Sequence, residues 1–236
     1  MFVLIQSGSP STTFSNYFSP QNKALDWILS DTYSSDGLSD DRLLQRFSLA
    51  TLYYSTNGGN RSHGGWLESK NECDWDSQDL ICSQESALQR LVLATDNLSV
   101  RIPIEICHLT QLNYLSLYSN QLTGAIPSEL GILTQLTYLS LFDNQLTGPL
   151  PSEFGRLTQL TSLSLWGNEL AGSLPSELGI LTQLTFVRLD NNKLTGIIPS
   201  SLCSASVTRY IYIDCGEIAC ACCLSSPFTF GTSCPA

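Results

Sequence analysis

The sequence predicts an α/β solenoid, in which each short coil contributes one strand to a parallel sheet and one return segment with a short helical turn. A 24-residue repeat runs through more than half of the 236 residues. Within each repeat, apolar residues alternate as in a strand with one buried face. Both ends of the array differ from the repeats, as a solenoid requires because its last coils would otherwise expose their apolar faces. We therefore expect an N-terminal extension and cap over residues 1–84, five repeats over 85–204, and a truncated repeat with a cysteine-rich cap over 205–236.

The composition narrows the class of protein. The chain is 42% apolar but only 14% charged, against roughly 25% charged in an average soluble domain, which argues against disorder. A net charge of −10 argues against binding to nucleic acids and anionic membranes. No apolar run reaches the roughly 18 residues of a membrane span, and residues 1–10 lack the basic flank of a signal peptide.

The N-terminal region predicts two helices. A short one is expected from Lys23 to Leu29. A second, amphipathic helix begins at the N-cap Ser39 and ends at Asn57-Gly58. Its apolar face is formed by Leu43, Leu44, Phe47, Ala50 and Tyr54.

The repeats themselves predict the parallel sheet. Four segments of 24 residues align without a gap and begin at Leu109, Leu133, Leu157 and Leu181. One period earlier, a weaker copy starts at Glu85, and a truncated copy follows from Ala205. Leucines at positions 4, 7 and 9 of each repeat alternate with polar or aromatic residues, so one strand face is buried.

Position 12 of the repeat holds a polar residue that we expect to be buried where the chain leaves each strand. It is asparagine in four repeats, and an amide there can satisfy exposed backbone groups of adjacent coils. Asp96 replaces it in the first repeat, so we expect the first coil to be less regular. In the return segments, Gly and Pro predict turns, and Ser-Glu pairs such as Ser128-Glu129 predict the start of short helical turns.

The pattern L-x-x-L-x-L-x-x-N-x-L followed by L-T-G-x-I-P resembles the plant-type leucine-rich repeat. The resemblance implies a right-handed, curved solenoid with a concave sheet and short or 3-10 helices on the convex side. It also relates the chain to the ectodomains of leucine-rich repeat receptors and to polygalacturonase-inhibiting proteins. Gly64-Gly65-Trp66 and Cys73-Asp74-Trp75 look like the family's N-terminal cap, which implies a Cys73–Cys82 disulfide.

The remaining cysteines indicate an oxidising compartment and therefore an extracellular or cell-surface location, with an intracellular one as the alternative. Six are predicted to form a disulfide-bonded C-terminal cap of unknown connectivity, with a zinc site as the alternative: Cys203, Cys215, Cys220, Cys222, Cys223 and Cys234. Cys107 is expected to be an unpaired filler. Asn60 and Asn97 lie in glycosylation sequons.

No motif in the sequence predicts catalysis or a cofactor. The two histidines, His63 and His108, lie outside any nucleophile, zinc or general-base pattern. Two groups of acids are expected to be solvated, with calcium binding as the alternative. They are a convex row of Glu105, Glu129, Glu153 and Glu177, and a cap cluster of Glu72, Asp74, Asp76 and Asp79.

Positions 6, 8 and 10 of the repeat point outward from the strands and predict an interaction surface. Two aromatic columns, at positions 6 and 10, flank a column of serines at position 8. We expect a continuous exposed strip of rings that binds a ligand; the alternative is that the rings only shield the sheet. The predicted binding residues are Tyr114, Tyr118, Tyr138, Phe142, Trp166, Phe186, Arg188 and Asp190.

The sequence thus favours a monomeric, non-catalytic recognition module that binds a protein, peptide or polysaccharide. A role in cell-surface signalling is implied by the resemblance alone. The alternatives are a secreted inhibitor of a polysaccharide-degrading enzyme and a structural wall or adhesion protein.

Overall fold

The computed structural model describes residues 16–35, 37–58, 65–75, 79–203, 210–214 and 218–219. It confirms the solenoid. Six parallel strands, one per coil, and one strand of the N-terminal cap form a seven-stranded sheet in the order β1-β2-β4-β6-β8-β10-β12. These strands are Leu80–Cys82 (β1), Leu88–Val92 (β2), Tyr114–Ser116 (β4), Tyr138–Ser140 (β6), Ser162–Ser164 (β8), Phe186–Arg188 (β10) and Tyr210–Tyr212 (β12).

The sheet is in register from coil to coil. Leu115 pairs with Leu139, and Leu139 with Leu163, so each residue lies beside its equivalent one repeat away. The exception is β1, which belongs to the cap and pairs antiparallel with β2. Because the register follows the repeat, residues at one position form straight columns across the sheet.

A second, six-stranded sheet lies in the return segments, in the order β13-β11-β9-β7-β5-β3. Its strands are Ser99–Val100 (β3), Gln121–Ala125 (β5), Gln145–Gly148 (β7), Glu169–Ser173 (β9), Lys193–Ile197 (β11) and Ile218–Ala219 (β13). We predicted only turns here. The Q-L-T segment of each repeat could have predicted these strands. Leu146 is buried between the exposed Gln145 and Thr147, and this alternation has the two-residue period of a strand.

Short 3-10 helices complete the coils at Ile104–His108, Ser128–Ile132, Ser152–Arg156, Ser176–Ile180 and Ser200–Cys203. Between the two sheets and these helices, the repeat leucines form one continuous core, with Leu139 and Leu141 completely buried. Three of these helices begin at the predicted Ser-Glu pairs, and at Ser128 the cap position is occupied by Pro127. The hydroxyl of Ser128 instead donates to the carboxylate of Glu129, at 3.3 Å.

A ladder of asparagines joins the coils, as the sequence predicted. The Oδ1 atom of Asn144 accepts from the amide of Leu122 in the preceding coil, at 3.0 Å. Its Nδ2 atom donates back to the carbonyls of Leu117, at 3.0 Å, and Leu141, at 3.1 Å. Asn120, Asn168 and Asn192 repeat this arrangement.

The first coil is less regular than the others, as expected, but the unusual backbone lies at Val100 and Asn97 and not at Asp96. Position 16 is a left-handed glycine in the later coils, with φ 76° at Gly124, but the first coil has Val100 there, with φ 72°. Asn97 adds a further left-handed residue, with φ 56°. A β-branched residue in this conformation is strained, so the first coil is held in shape by its neighbours.

The N-terminal cap consists of three helices: α1 (Pro20–Ser30), α2 (Thr32–Ser35) and α3 (Asp40–Ser55). The Oγ atom of Ser39 caps α3 by accepting from the amide of Arg42, at 3.4 Å. The amphipathic interpretation of α3 is wrong for its central part, since residues 45–52 are all buried. The reason is that α3 packs against α1 on one side and against the first coil on the other.

Arg46, near the middle of α3, is completely buried. Its guanidinium donates to the carboxylates of Asp31, at 2.6 Å, and Glu72, at 2.9 Å. It also lies 5.0 Å from the ring centroid of Trp27 and 5.1 Å from that of Trp75. A buried charge needs such partners, and here they connect α3 to both flanking segments.

Glu72 corrects the predicted acidic cluster of the cap. It is 0% exposed and receives hydrogen bonds from Arg42 and Arg46. It is therefore an ion-paired core residue, not a solvated carboxylate or a calcium ligand. Asp76 of the same cluster lies outside the described residues.

The predicted convex acidic row is also wrong at one end. Glu105 is 1% exposed, because α1 covers it and the side-chain amide of Gln21 donates to its Oε1 atom at 3.0 Å. Glu129, Glu153 and Glu177 are half-buried.

The Cys73–Cys82 disulfide is present. Cys107 is free, as expected, and burial, together with the charges of Glu129 and Glu105, raises the pKa of its thiol to about 11. Cys203 ends the last 3-10 helix. The remaining predicted cap cysteines, namely Cys215, Cys220, Cys222, Cys223 and Cys234, lie outside the described residues, so their pairing stays a prediction.

Candidate ligand-binding surface

The outer face of the seven-stranded sheet is the candidate binding surface. In β4, β6, β8 and β10, position 6 begins the strand and position 8 ends it, while position 10 follows two residues later. The in-register pairing of β4, β6, β8 and β10 brings the predicted site residues together on this face as columns.

The aromatic residues of each column stack face to face. The ring centroids of Tyr114 and Tyr138 are 4.1 Å apart with an interplanar angle of 2°. At position 10, the centroid of Phe142 is 4.5 Å from that of Tyr118 and 4.9 Å from that of Trp166. These spacings follow the strand spacing of about 4.8 Å, so the backbone sets the separation of the rings.

Stacking changes what the surface presents to a ligand. We expected exposed rings, but Tyr114, Tyr138, Phe142 and Trp166 are all half-buried. Each ring covers a face of its neighbour, so most of what points toward solvent is ring edges, and among the described residues open ring faces remain only at the ends of the stacks. The rings therefore shield one another and also line the surface, and ligand binding by them stays a prediction.

Two arginines lie on the ends of the stacks. The guanidinium carbon of Arg90 is 3.7 Å from the centroid of Tyr114, and that of Arg188 is 4.2 Å from the centroid of Trp166. Arg188 is oriented by Asp190, whose carboxylate accepts from its Nε atom at 3.0 Å. These cation–π contacts extend each column with a positive charge.

Phe186 does not continue the stack of Tyr114 and Tyr138. Its ring lies 5.9 Å from that of Tyr212, with an interplanar angle of 48°. We did not include Arg90 and Tyr212 among the predicted binding residues. Both residues could have been found from the sequence. Arg90 stands at position 6 of the first repeat, and Tyr212 stands at position 8 when the repeat is extended into the truncated sixth copy.

Between the two aromatic columns runs a buried column of serines. Ser116 and Ser140 are 1% and 0% exposed, and Ser164 is 5% exposed. Among the described residues, the hydroxyls of Ser116 and Ser140 have no hydrogen-bond partner. Small side chains at position 8 allow the flanking rings to close over the sheet.

Burial raises the pKa of Tyr114, and the hydroxyl of Tyr138 raises it further, while the charge of Arg90 acts in the opposite direction. This phenol therefore remains protonated at neutral pH and can donate a hydrogen bond.

A polar cleft of about 620 Å³ lies elsewhere, between α3 and the first two coils. Its lining includes Arg42, Gln45, Glu85, Gln89 and His108. Arg42 is already paired with Glu72, and burial lowers the pKa of His108. Within the described ranges, no group of three or more His, Cys, Asp or Glu side chains is arranged to hold a metal.

Two further features bear on the predicted location. Among the described helices, none combines the length and the apolar composition needed to cross a membrane. The predicted glycosylation site Asn97 is exposed, whereas Asn60 lies outside the described residues, as does His63.

Comparison with known proteins finds one family model that matches the repeats. The Leucine Rich Repeat family model matches residues 111–133, 135–157, 159–181 and 183–205. No curated protein matches the chain significantly.

Several solved structures are similar to the chain. A plant ice-binding protein is 28% identical with a TM-score of 0.63, over 73% of this chain and 55% of its own, so this chain spans about half of its length. The BIR2 ectodomain from Arabidopsis thaliana is 26% identical with a TM-score of 0.56, over 91% and 98% of the two chains. The plant peptide hormone receptor RGFR1, solved with RGF2, is 28% identical with a TM-score of 0.56, over 63% of this chain and 26% of its own.

Proposed function

We propose that this chain, which is built of leucine-rich repeats, is a non-catalytic recognition module that binds a peptide or protein on the outer face of its seven-stranded sheet. We further propose that it acts outside the cell or at the cell surface, in signalling. The observation that carries the binding proposal is the pair of ring stacks on one rigid face.

The geometry of the stacks favours a peptide or protein over a polysaccharide. A sugar binds an aromatic residue by lying on the ring face, but both faces are covered in Tyr114, Phe142 and Trp166. Only one face each of Tyr118 and Tyr138 stays open, which leaves no continuous platform for a chain of sugars on the described part of these stacks. Ring edges and tyrosine hydroxyls suit side chains and backbone amides instead. The rigid sheet also limits the entropy lost on binding.

The similar structures support this class of function. RGFR1 is described as a peptide hormone receptor in complex with RGF2, and BIR2 was solved as an ectodomain. The location and the signalling role of the present chain rest on this similarity.

The test begins with selection of binding peptides from a displayed random library against the purified chain. Their affinities are then measured for a triple variant in which Tyr118, Phe142 and Trp166 are changed to alanine. The matched control changes three exposed isoleucines away from this face to alanine: Ile132, Ile180 and Ile197, which are 46%, 54% and 64% exposed. Thermal melting checks that both variants fold.

Central aromatic residues of an interface each contribute about 2 kcal/mol or more, so the triple variant should bind at least about 30-fold more weakly. The isoleucine variant should bind like the unchanged chain. If the folded triple variant keeps its affinity, or the isoleucine variant loses it, the outer face of the sheet is not the binding surface.

A second candidate function is ice binding, favoured by a regular polar column beside the sheet. Position 2 of the repeat is an exposed threonine in four consecutive coils: Thr110, Thr134, Thr158 and Thr182. Hydroxyl and methyl groups repeated at about 4.8 Å form an array suited to ordered water. Inhibition of ice recrystallisation that is lost on changing Thr134 and Thr158 to lysine would support this function, whereas no inhibition by the unchanged chain would exclude it.

A further inference from the structure

The aromatic column at position 6 is interrupted at one place. It contains Tyr114, Tyr138, Ser162 and Phe186 in successive coils. Ser162 pairs with Tyr138 on one side and with Phe186 on the other. One serine therefore stands where the column would otherwise hold a ring.

The width of this gap follows from the strand spacing. Tyr138 and Phe186 project from strands two places apart, which separates them by about 9.6 Å, or twice about 4.8 Å. The rings that do stack on this face are 4.1 to 4.9 Å apart. A single ring placed over Ser162 would thus lie at stacking distance from Tyr138. It would have Phe186, tilted toward Tyr212, on its other side.

Tyr138 has an open ring face on the side of the gap. Tyr118 also has one, but it lies on the side of Ala94, where the column holds no further ring. Tyr114 covers one face of the Tyr138 ring, and no described ring or guanidinium covers the other. By contrast, Arg90 covers the outer face of Tyr114, and Arg188 covers a face of Trp166. The open ring face at Ser162 is therefore an unused stacking position in the middle of the surface.

The floor of the gap is small and polar. Ser162 is half-buried, and the neighbouring Ser140 and Ser164 are 0% and 5% exposed. The hydroxyl of Ser140 has no hydrogen-bond partner among the described residues. A flat ring with a polar edge, such as tryptophan or tyrosine, matches an open ring face beside hydroxyl groups better than an aliphatic side chain does.

We infer that the gap over Ser162 is a specific subsite that receives one aromatic side chain of the peptide or protein ligand, which then completes the position-6 column. This inference deepens the proposed function and rests on it. It identifies the anchor of the ligand as an aromatic residue and Ser162 as the residue that determines this preference.

The test uses small probes in place of the unidentified ligand. Binding of N-acetyl-tryptophan amide, N-acetyl-leucine amide and methyl β-glucoside is measured by NMR titration of the whole chain. Each titration is repeated on two variants. Ser162→Phe fills the gap with the chain's own ring, and Ser162→Ala is the matched control that leaves the gap open.

We expect the tryptophan probe to bind the unchanged chain and the Ser162→Ala variant with similar affinity, and to shift the ring signals of Tyr138 and Phe186. Stacking in the gap should favour it about tenfold over the leucine probe, and Ser162→Phe should weaken it at least about tenfold. Because Ser162→Phe completes a stack, this variant should also melt no lower than the unchanged chain. Loss of binding would then not be due to unfolding.

Failure of this inference can be distinguished from failure of the proposed function. Equal binding of the tryptophan probe to Ser162→Phe, no binding to the unchanged chain, or preferential binding of the leucine or glucoside probe would overturn the subsite. So would a marked drop in the melting temperature of Ser162→Phe. The selected peptides provide the second readout. If they lose affinity for the variant of Tyr118, Phe142 and Trp166 but bind Ser162→Phe with full affinity, the binding face is supported and the subsite in the gap is rejected.

Discussion

Changing Asn144 to aspartate tests the asparagine ladder with almost no change in size. The amide oxygen of Asn144 accepts from the Leu122 amide, which a carboxylate oxygen can replace. Its amide nitrogen is within 3.2 Å of three carbonyl oxygens, those of Leu117, Leu141 and Phe142. Aspartate has no donor to offer them, so three buried acceptors would face a negatively charged oxygen.

The expected loss in the free energy of unfolding follows from these contacts. The two shorter hydrogen bonds, at 3.0 and 3.1 Å, contribute about 1 kcal/mol each. The side chain is only 8% exposed, so the charge adds a desolvation penalty that brings the loss to about 3 to 5 kcal/mol at pH 7. Burial and the carbonyls raise the pKa of the new carboxyl above its unfolded value. The penalty should therefore grow by up to about 1.4 kcal/mol per pH unit between the two pKa values.

Urea unfolding followed by tryptophan fluorescence at pH 5 and pH 7 measures both effects. The control is Gln145→Glu, the same amide-to-carboxylate change at the next residue, which is exposed and should change stability by less than about 0.5 kcal/mol. A loss below about 1 kcal/mol for Asn144→Asp, or a loss that is equal at the two pH values, would refute the role assigned to the amide nitrogen.

Three other features give further expected outcomes. Burial raises the pKa of Glu72, but the hydrogen bonds and charge of Arg42 outweigh this effect and hold the pKa below 4.5. The free energy of unfolding that this ion pair contributes is therefore present above pH 4.5 and is lost as the pH falls and the carboxylate is protonated. Glu72→Gln should therefore cost about 3 to 5 kcal/mol at pH 7 and flatten the acid limb of the stability profile, and a steeper limb would contradict the pairing. Val100→Gly should stabilise the chain by about 0.5 to 1 kcal/mol, because relief of left-handed strain exceeds the entropy cost of glycine. Gly124→Val should destabilise the chain for the same reason. Midpoints of urea unfolding that move in the opposite directions would show that the backbone at Val100 is not strained. The Cys107 thiol, with a pKa of about 11, should react with iodoacetamide at pH 8 about 100-fold more slowly than a free thiol, as measured by peptide mass spectrometry, and rapid labelling in the folded chain would show that it is accessible.

Much of the fold was predictable because the repeat encodes both the coil and its neighbours. A leucine, or valine or isoleucine in the last coils, recurs at the position of Leu139, so one pattern predicts the strand, its buried face and its register. Asparagine recurs in the same way at the position of Asn144, so the hydrogen bonds of the ladder between coils could also be predicted. The second sheet was missed because the L-T-G segment around Leu146 was interpreted through its glycine as a turn, although its burial alternates like a strand.

The cap was less predictable because its contacts do not repeat. Arg46 is not on the predicted apolar face of its helix, and only the folded chain brings Asp31 and Glu72 to it. No spacing in the sequence signals that pairing. The aromatic columns were predictable in part. The repeat places Tyr114 and Tyr138 side by side, but it does not indicate that the two rings stack and cover each other's faces.

The most direct test of the binding surface is an NMR map of the whole chain with a selected peptide, with aromatic rings and isoleucine methyl groups labelled with carbon-13. We expect the largest shift changes at the rings of Tyr118, Tyr138 and Trp166, and none at the methyl groups of Ile132 and Ile180. Shift changes confined to those isoleucines, with unmoved ring signals, would contradict binding on the outer face of the seven-stranded sheet.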